Sequence, residues 1–387
     1  MRRATKVHVR RLSAVALVSS LGLLLGACGG TAASSTSSGG ATSGGSTGNA
    51  STGGGSTGTG STGSAASAGG YTIGFSNPQA TQPVLDAFGA ALTAAAKREG
   101  LKVTSLNAAL SVSTQVQDIQ QFINEKVKAI VVFPLAGPPL FPVLKQARKA
   151  GIVVLGYNAV TADVTSASQI APYQADLNQG LIGEGAKLAA QFVDQQLHGS
   201  GNVVGVGIAA PVPSLHAFMS AEQADVTNGH SGVHWLETVA DQTDNISGAA
   251  TPVADALTRY HNKVNAVMAY FDGAAIGAAT SLRAAGVHAV VVGQQGNTDG
   301  VAAVKAGTLA ATINEMPYDQ ALLALTMVKR LVAGESVPPV VHPPVQLVTK
   351  SNLSSYVPWS QGLAEIESGK LVPPTTVTAH PAAPSSH

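Results

Sequence analysis

Between residues 72 and 348 short apolar runs rich in β-branched residues alternate with longer stretches of helical period. The runs predict ten strands, at residues 72–76, 103–106, 129–133, 152–156, 203–208, 233–239, 266–270, 289–293, 310–313 and 345–348. Helical patterns fill intervals such as 83–99, 114–125, 179–196 and 319–332, and Leu85, Phe88 and Leu92 recur at the spacing of a core-facing stripe. Four junctions share one signature: Lys97-Arg98-Glu99-Gly100, Arg148-Lys149-Ala150-Gly151, Arg283-Ala284-Ala285-Gly286 and Lys305-Ala306-Gly307. Each places a cation in the last helical turn, then the glycine of a left-handed cap, then an apolar run. Repeated helix–Gly–strand junctions predict parallel sheets built from βαβ units, whose binding sites lie at the carboxyl ends of the strands.

The first 70 residues are of another kind. Arg2, Arg3, Lys6, Arg10 and Arg11 precede a short apolar core at 12–27, too short to span a bilayer core of about 30 Å comfortably, so it reads as a cleaved export signal. Leu25-Gly26-Ala27-Cys28 places small residues directly before the only cysteine of the 387 residues. This resembles the lipobox of bacterial lipoproteins and implies that Cys28 becomes a lipidated N-terminus. Residues 29–70 contain only Gly, Ser, Thr and Ala apart from Asn49. That composition predicts a disordered tether, whose reach as a flexible coil is about 35 Å.

Five of the 22 Lys and Arg residues fall in the export signal, leaving 17 against 21 acidic residues, which is no footprint for nucleic acid. With no second cysteine, the fold rests on a core and not on disulfides. Enzyme signatures are scarce: no His-Glu-x-x-His, no Walker-type loop, and no Gly-x-Ser-x-Gly outside the tether. Gly205-Val206-Gly207-Ile208-Ala209-Ala210 mimics a dinucleotide fingerprint, but Pro211 and Pro213 follow, and no helix N-terminus is expected there. His230 and His234 have metal-ligand spacing and read as solvent-exposed turn residues; Asp241 and Asp244 read as a solvated acidic pair. No catalytic residues, metal site or cofactor are expected.

The folded body resembles the type I periplasmic binding proteins, the ribose-binding-like solute-binding components of ABC sugar importers. The resemblance lies in Thr72-Ile73-Gly74-Phe75-Ser76-Asn77-Pro78, in Ile152-Val153-Val154-Leu155-Gly156-Tyr157-Asn158 and in Tyr270-Phe271-Asp272-Gly273-Ala274-Ala275-Ile276-Gly277-Ala278. It continues in Val291-Val292-Gly293-Gln294-Gln295-Gly296 and the segment from Leu309 to Pro317, then Leu347-Val348-Thr349-Lys350.

The resemblance implies an α/β fold of two Rossmann-like lobes with parallel sheets, joined by a three-stranded hinge near Asp176, Glu315 and Pro343. Lobe I would be 71–174 with 317–343, lobe II 175–316 with 344–372, and 373–387 a disordered tail. Ligand would sit in the cleft, held by Gln79, Gln82, Tyr157, Asn158, His216, Gln242, Phe271, Asp272, Gln295 and Glu315. The family's paired aromatics after the first strand fall near Gln82 and Pro83, its Asp-Arg pair on Tyr157 and Asn158, and its late Gln on Glu315. The site therefore loses charge and gains amides, and Tyr157 and Phe271 are expected to sandwich the solute. Asp272 could instead cap the following helix. The expected function is capture of a small neutral polar solute, a sugar or polyol, by a monomeric lipid-anchored protein that hands it to an ABC permease. Sensing for a transmembrane kinase or chemoreceptor is the alternative.

Overall fold

The computed structural model describes residues 70–161, 166–178, 181–229 and 232–381, which belong to one compact unit. The export signal, Cys28, nearly all of the tether and His230 lie outside the described residues.

The chain begins with β1 (Thr72–Asn77), α1 (Pro83–Arg98), β2 (Lys102–Asn107), α2 (Val112–Asn124), β3 (Ala129–Val132), α3 (Phe141–Lys149), β4 (Val153–Tyr157) and β5 (Ala175–Leu177). It continues with α4 (Ala186–Leu197), β6 (Gly201–Ile208), α5 (Pro213–Gly229), β7 (Val233–Asp241), α6 (Ile246–Arg259), β8 (Ala266–Ala269), α7 (Asp272–Ala284), β9 (Val290–Gln295), α8 (Thr298–Ala306) and β10 (Ala311–Asn314). It closes with α9 (Pro317–Val332), β11 (Val340–Val341), β12 (Gln346–Thr349) and α10 (Trp359–Ser368).

These strands form two six-stranded sheets, ordered β11-β5-β4-β3-β1-β2 and β12-β10-β9-β8-β6-β7. Only β10 and β12 pair antiparallel. In the first sheet β1 lies between β2 and β3, and in the second β6 lies between β7 and β8. The same winding thus occurs twice. At β1 and β6 successive connections leave to opposite sides, which opens a crevice at the carboxyl ends.

Burial on both faces explains why these strands read as continuous apolar runs: all four residues of β3 are buried. Phe88 and Leu92 of α1 pack with Ile73, Phe75 and Val131 on one face of the first sheet. Ile119, Phe122 and Leu144 of α2 and α3 pack with Ile130, Val132 and Val154 on the other. Gly74 permits that approach, since a Cβ there would stand 2.7 Å from the Phe122 ring.

The lobe assignments differ from expectation at β5 and at α10. Ala175–Leu177, expected in lobe II, is a lobe I strand paired with β4 and β11. Asp176 is therefore buried inside that strand and is not a hinge residue. Its carboxylate accepts the amides of Ala159 and Val160 at 2.9 and 3.1 Å and fixes the loop after β4. The first crossing follows Leu177. The chain then crosses at Glu315–Met316, between β10 and α9, and at His342–Val345, between β11 and β12.

Beyond β12 the chain returns once more, because α10 packs on α1 and α9 of lobe I. The Trp359 indole donates to Asn314 Oδ1 at 3.1 Å, tying this return to the second crossing. The tail also departs from expectation over 373–381. Thr326 Oγ1 donates to the Pro374 carbonyl at 2.9 Å and the His342 amide to the Ala379 carbonyl at 2.8 Å, so hydrogen bonds to its carbonyls hold it on lobe I. Residues 382–387 lie outside the described residues. Finally, α5 does begin at Pro213, against the sequence expectation: a proline at the first helical position gives up an amide that would have no partner there.

Candidate functional site

The residues that follow the strands of both sheets converge on one cavity. From lobe I come Pro78 and Gln79 after β1, Gln82 at the start of α1, Leu110 after β2 and Phe133 after β3. From lobe II come Ile208, Val212 and Leu215 around the β6–α5 turn, and then Asp244, Tyr270, Gln295 and Glu315 after β7, β8, β9 and β10. Water can occupy about 40 Å³ among them, room for a few molecules. Side chains of the two lobes meet directly across this space. Gln295 Nε2 donates to Gln82 Oε1 at 3.1 Å, and Gln82 Nε2 donates to the Asp244 carbonyl at 3.2 Å.

Local backbone geometry aims these groups. Gln82 is the N-cap residue of α1 but its side chain caps nothing, which leaves the amide to reach lobe II. Gln295 has φ of 94°, a conformation that side chains rarely adopt, and its carbonyl accepts the Glu315 amide at 3.0 Å. Strain of that kind persists only where the surroundings hold it. On the lobe I side, Gln115 of α2 spends its whole amide on the ends of β1 and β3. Its Nε2 donates to Ser76 Oγ and the Phe133 carbonyl at 3.1 and 2.8 Å, and its Oε1 accepts the Leu135 amide at 2.9 Å. That places the Phe133 ring at the cavity wall.

Asp241 and Asp244 are not a solvated pair. They are 0% and 8% exposed, and the Tyr270 hydroxyl lies between them, 2.7 Å from Asp244 Oδ1 and 3.2 Å from Asp241 Oδ2. Asp241 Oδ1 accepts the Thr243 and Asp244 amides at 2.9 Å each, which sets the turn that presents Asp244. Burial raises the pKa of Asp244, opposed by the hydrogen bond from Tyr270. Burial and the negative charges of the two aspartates push the Tyr270 hydroxyl up, so it remains a donor. Glu315 is 2% exposed, and burial together with the negative charge of Asp272 pushes it up to about 8.

Of the expected site residues, Gln79, Gln82, Gln295 and Glu315 line the cavity. Tyr157 does not: it is fully buried in lobe I, stacked on Phe88 at 4.2 Å with its hydroxyl donating to Gln320 Oε1 at 2.7 Å. Its edge contact with Phe133, 5.5 Å between centroids, makes it the backing of the wall and not the wall itself. Phe271 likewise lies behind Tyr270, 4.8 Å away, with its ring against Gly273. The expected Tyr157–Phe271 sandwich is therefore not formed. In both strands the neighbour takes the place, because side chains alternate between faces and the cavity-facing position is one residue or one strand away.

Asn158 is buried with φ of 57° and turns the chain after β4, its amide donating to the Leu177 carbonyl. His216 is exposed on α5, with Nε2 2.9 Å from the Ala210 carbonyl; Gln242 is exposed and faces away from the cleft. Asp272 is fully buried and caps nothing in its own helix. It accepts from Thr312 Oγ1 at 2.6 Å and from the Asn297 amide at 2.9 Å, joining α7 to β10 and the β9–α8 turn, and burial raises it to about 7. Asp244, Tyr270 and Phe133 are the polar and aromatic cavity residues that sequence reasoning missed, alongside several aliphatic ones. The rule that matters, residues directly after each strand, points to all three once strand ends are placed correctly.

With the site in view, the comparisons decide the family. The sequence profile of the periplasmic binding protein domain matches residues 73–336. The chain belongs to that family. The ribose import binding protein of Bacillus subtilis is 26% identical over 288 residues, spanning 72% of this chain and 88% of that protein. The D-ribose/D-allose-binding protein of Pseudomonas aeruginosa is 29% identical over 252 residues, 61% of this chain and 74% of that one. Among solved structures, an ABC sugar transporter subunit from Rhodobacter sphaeroides superposes with a TM-score of 0.64 at 27% identity, covering 73% of this chain and 99% of that one. The two α/β lobes are those of type I periplasmic binding proteins. The homologues are solute-binding proteins, not enzymes.

Proposed function

We propose that this protein is the extracytoplasmic solute receptor of an ABC importer and captures a sugar or polyol between its lobes. The observation that carries this reading is the interlobe cavity. Three amides (Gln79, Gln82 and Gln295) and the Tyr270 hydroxyl offer both donors and acceptors, as a ring of hydroxyls requires. Apolar side chains of both lobes, with the Phe133 ring, cover the faces of such a ring. Relatives named for ribose, allose, xylose and xylitol binding support the same solute class. Gln79, Gln82, Gln295 and Glu315 are the proposed ligand contacts, extended by Asp244, Tyr270 and Phe133. The lipobox-like sequence at Cys28 supports a lipid anchor on the outer side of the cell membrane, with residues 29–70 as tether.

The test is a melting-temperature screen of the purified full chain against sugars, polyols, cyclitols and nucleosides, since a ligand that binds only the native state raises its stability. A sugar or polyol that raises the melting temperature and binds by calorimetry is the expected result. A panel without any stabilising member would overturn the reading.

A further inference from the structure

The cavity lining carries two carboxylates, Asp244 and Glu315, and among its described residues no Lys, Arg or His. The two carboxylates are provided for differently. Asp244 accepts a short hydrogen bond from the Tyr270 hydroxyl. Glu315 is 2% exposed and belongs to the cavity lining, and its buried Oε2 has no hydrogen-bond partner. The charge acting on Glu315 is the negative one of Asp272, and no cation offsets it. An anionic solute would find two carboxyl groups and no cation to receive it in a buried space, which is costly. A primary ammonium brings three donors and a positive charge in one group, and its bond to a carboxylate is roughly twice as strong as a neutral one. A metal ion is the other cation to consider, but no group of three or more His, Cys, Asp or Glu among the described residues could hold one.

We propose that the cleft selects a polyhydroxylated ring bearing a primary amine, an amino sugar or aminocyclitol, whose ammonium docks on Glu315 Oε2 with Asp244 as the second carboxylate. Gln82 and Gln295 then serve the hydroxyls, and Phe133 covers a face of the ring. This rests on the solute-receptor reading and narrows it.

Calorimetry on the full chain with matched pairs tests it: D-glucosamine against D-glucose, D-galactosamine against D-galactose, and an aminocyclitol against the corresponding inositol. In at least one pair the amine should bind about tenfold or more tightly, a difference of about 1.4 kcal/mol. Glu315→Gln, which keeps the size of the side chain, should abolish that preference, bringing the amine and hydroxyl members of each pair to similar affinity. Asp244→Asn should reduce the preference, and it is the readout to use if Glu315→Gln does not fold. Equal or tighter binding of the hydroxyl members, or an amine preference that survives both substitutions, would overturn the proposal and leave the receptor reading standing. No binding by any member of either set would count against both.

Discussion

Gln295 Nε2 donates to Gln82 Oε1 at 3.1 Å across 213 positions of sequence, and this bond joins side chains of the two lobes. Gln82 passes the contact on to the Asp244 carbonyl. The residues expected to meet solute are thus the ones that hold the lobes together, so binding and closure draw on the same side chains.

Removing either amide should loosen closure more than it unfolds the chain. A hydrogen bond of this kind contributes about 0.5–1.5 kcal/mol net. Gln82→Ala and Gln295→Ala should each raise the radius of gyration measured by small-angle scattering, and the double substitution should add little to Gln82→Ala, which already breaks the shared bond together with that to the Asp244 carbonyl. Scattering curves identical to wild type would show that closure rests elsewhere.

Phe271→Ala should lower the melting temperature and spare affinity, since loss of a packed Phe costs about 3–5 kcal/mol and the ring lies behind the cavity wall. Phe133→Ala should do the reverse and weaken solute binding, because Phe133 lines the cavity itself. Calorimetry and melting on the same two variants separate these roles; weakened binding in Phe271→Ala with unchanged melting would refute the assignment.

Stability should fall as pH rises from mildly acidic to mildly basic. Burial holds Asp176 at about 6, Asp272 and Asp319 at about 7 and Glu315 at about 8 in the folded chain. All four ionise near 4 when unfolded, so between those limits the folded state binds more protons. Their contribution is fully present below the unfolded values and is lost as pH passes through 6 to 8. Melting temperature should therefore be several degrees higher at about pH 5.5 than at about pH 8.5, and Glu315→Gln should flatten the part nearest 8. A melting temperature that climbs across this range would contradict the burial of these carboxylates.

Cys28→Ser should abolish fatty-acid labelling and release the protein from the membrane fraction without lowering its melting temperature. Cys28 precedes the first described residue by 42 positions of sequence, and each buried CH₂ of an attached lipid contributes about 0.8 kcal/mol to anchoring. Equal labelling of wild type and variant would exclude the anchor at this residue.

Much of the fold was legible because its signals are local. Each of the ten expected strands corresponds to an observed one, since a strand buried on both faces must be apolar throughout, and the Gly-capped junctions mark the helix ends. The strands that escaped are β5 and β11, of three and two residues, too short for any periodicity and stabilised by pairing with each other. The destination of α10 escaped for a similar reason. Its apolar stripe states that it packs, but not on which lobe.

The site was legible by strand and not by residue. That Gln82, Gln295 and Glu315 lie near carboxyl ends follows from the order of elements alone. Whether Tyr270 or Phe271, or Phe133 or Tyr157, forms the wall depends on where each strand ends, because one residue of shift turns a side chain to the other face. The burial of Asp241 and Asp244 could not be read from composition either, since two nearby aspartates look alike whether they face water or a tyrosine hydroxyl. Local pattern determined the alternating elements, the parallel sheets and the end of the sheets where solute would bind. Tertiary packing alone decided which side chains meet across the lobes, because those contacts join residues separated by 162 and 213 positions, which no local periodicity can relate.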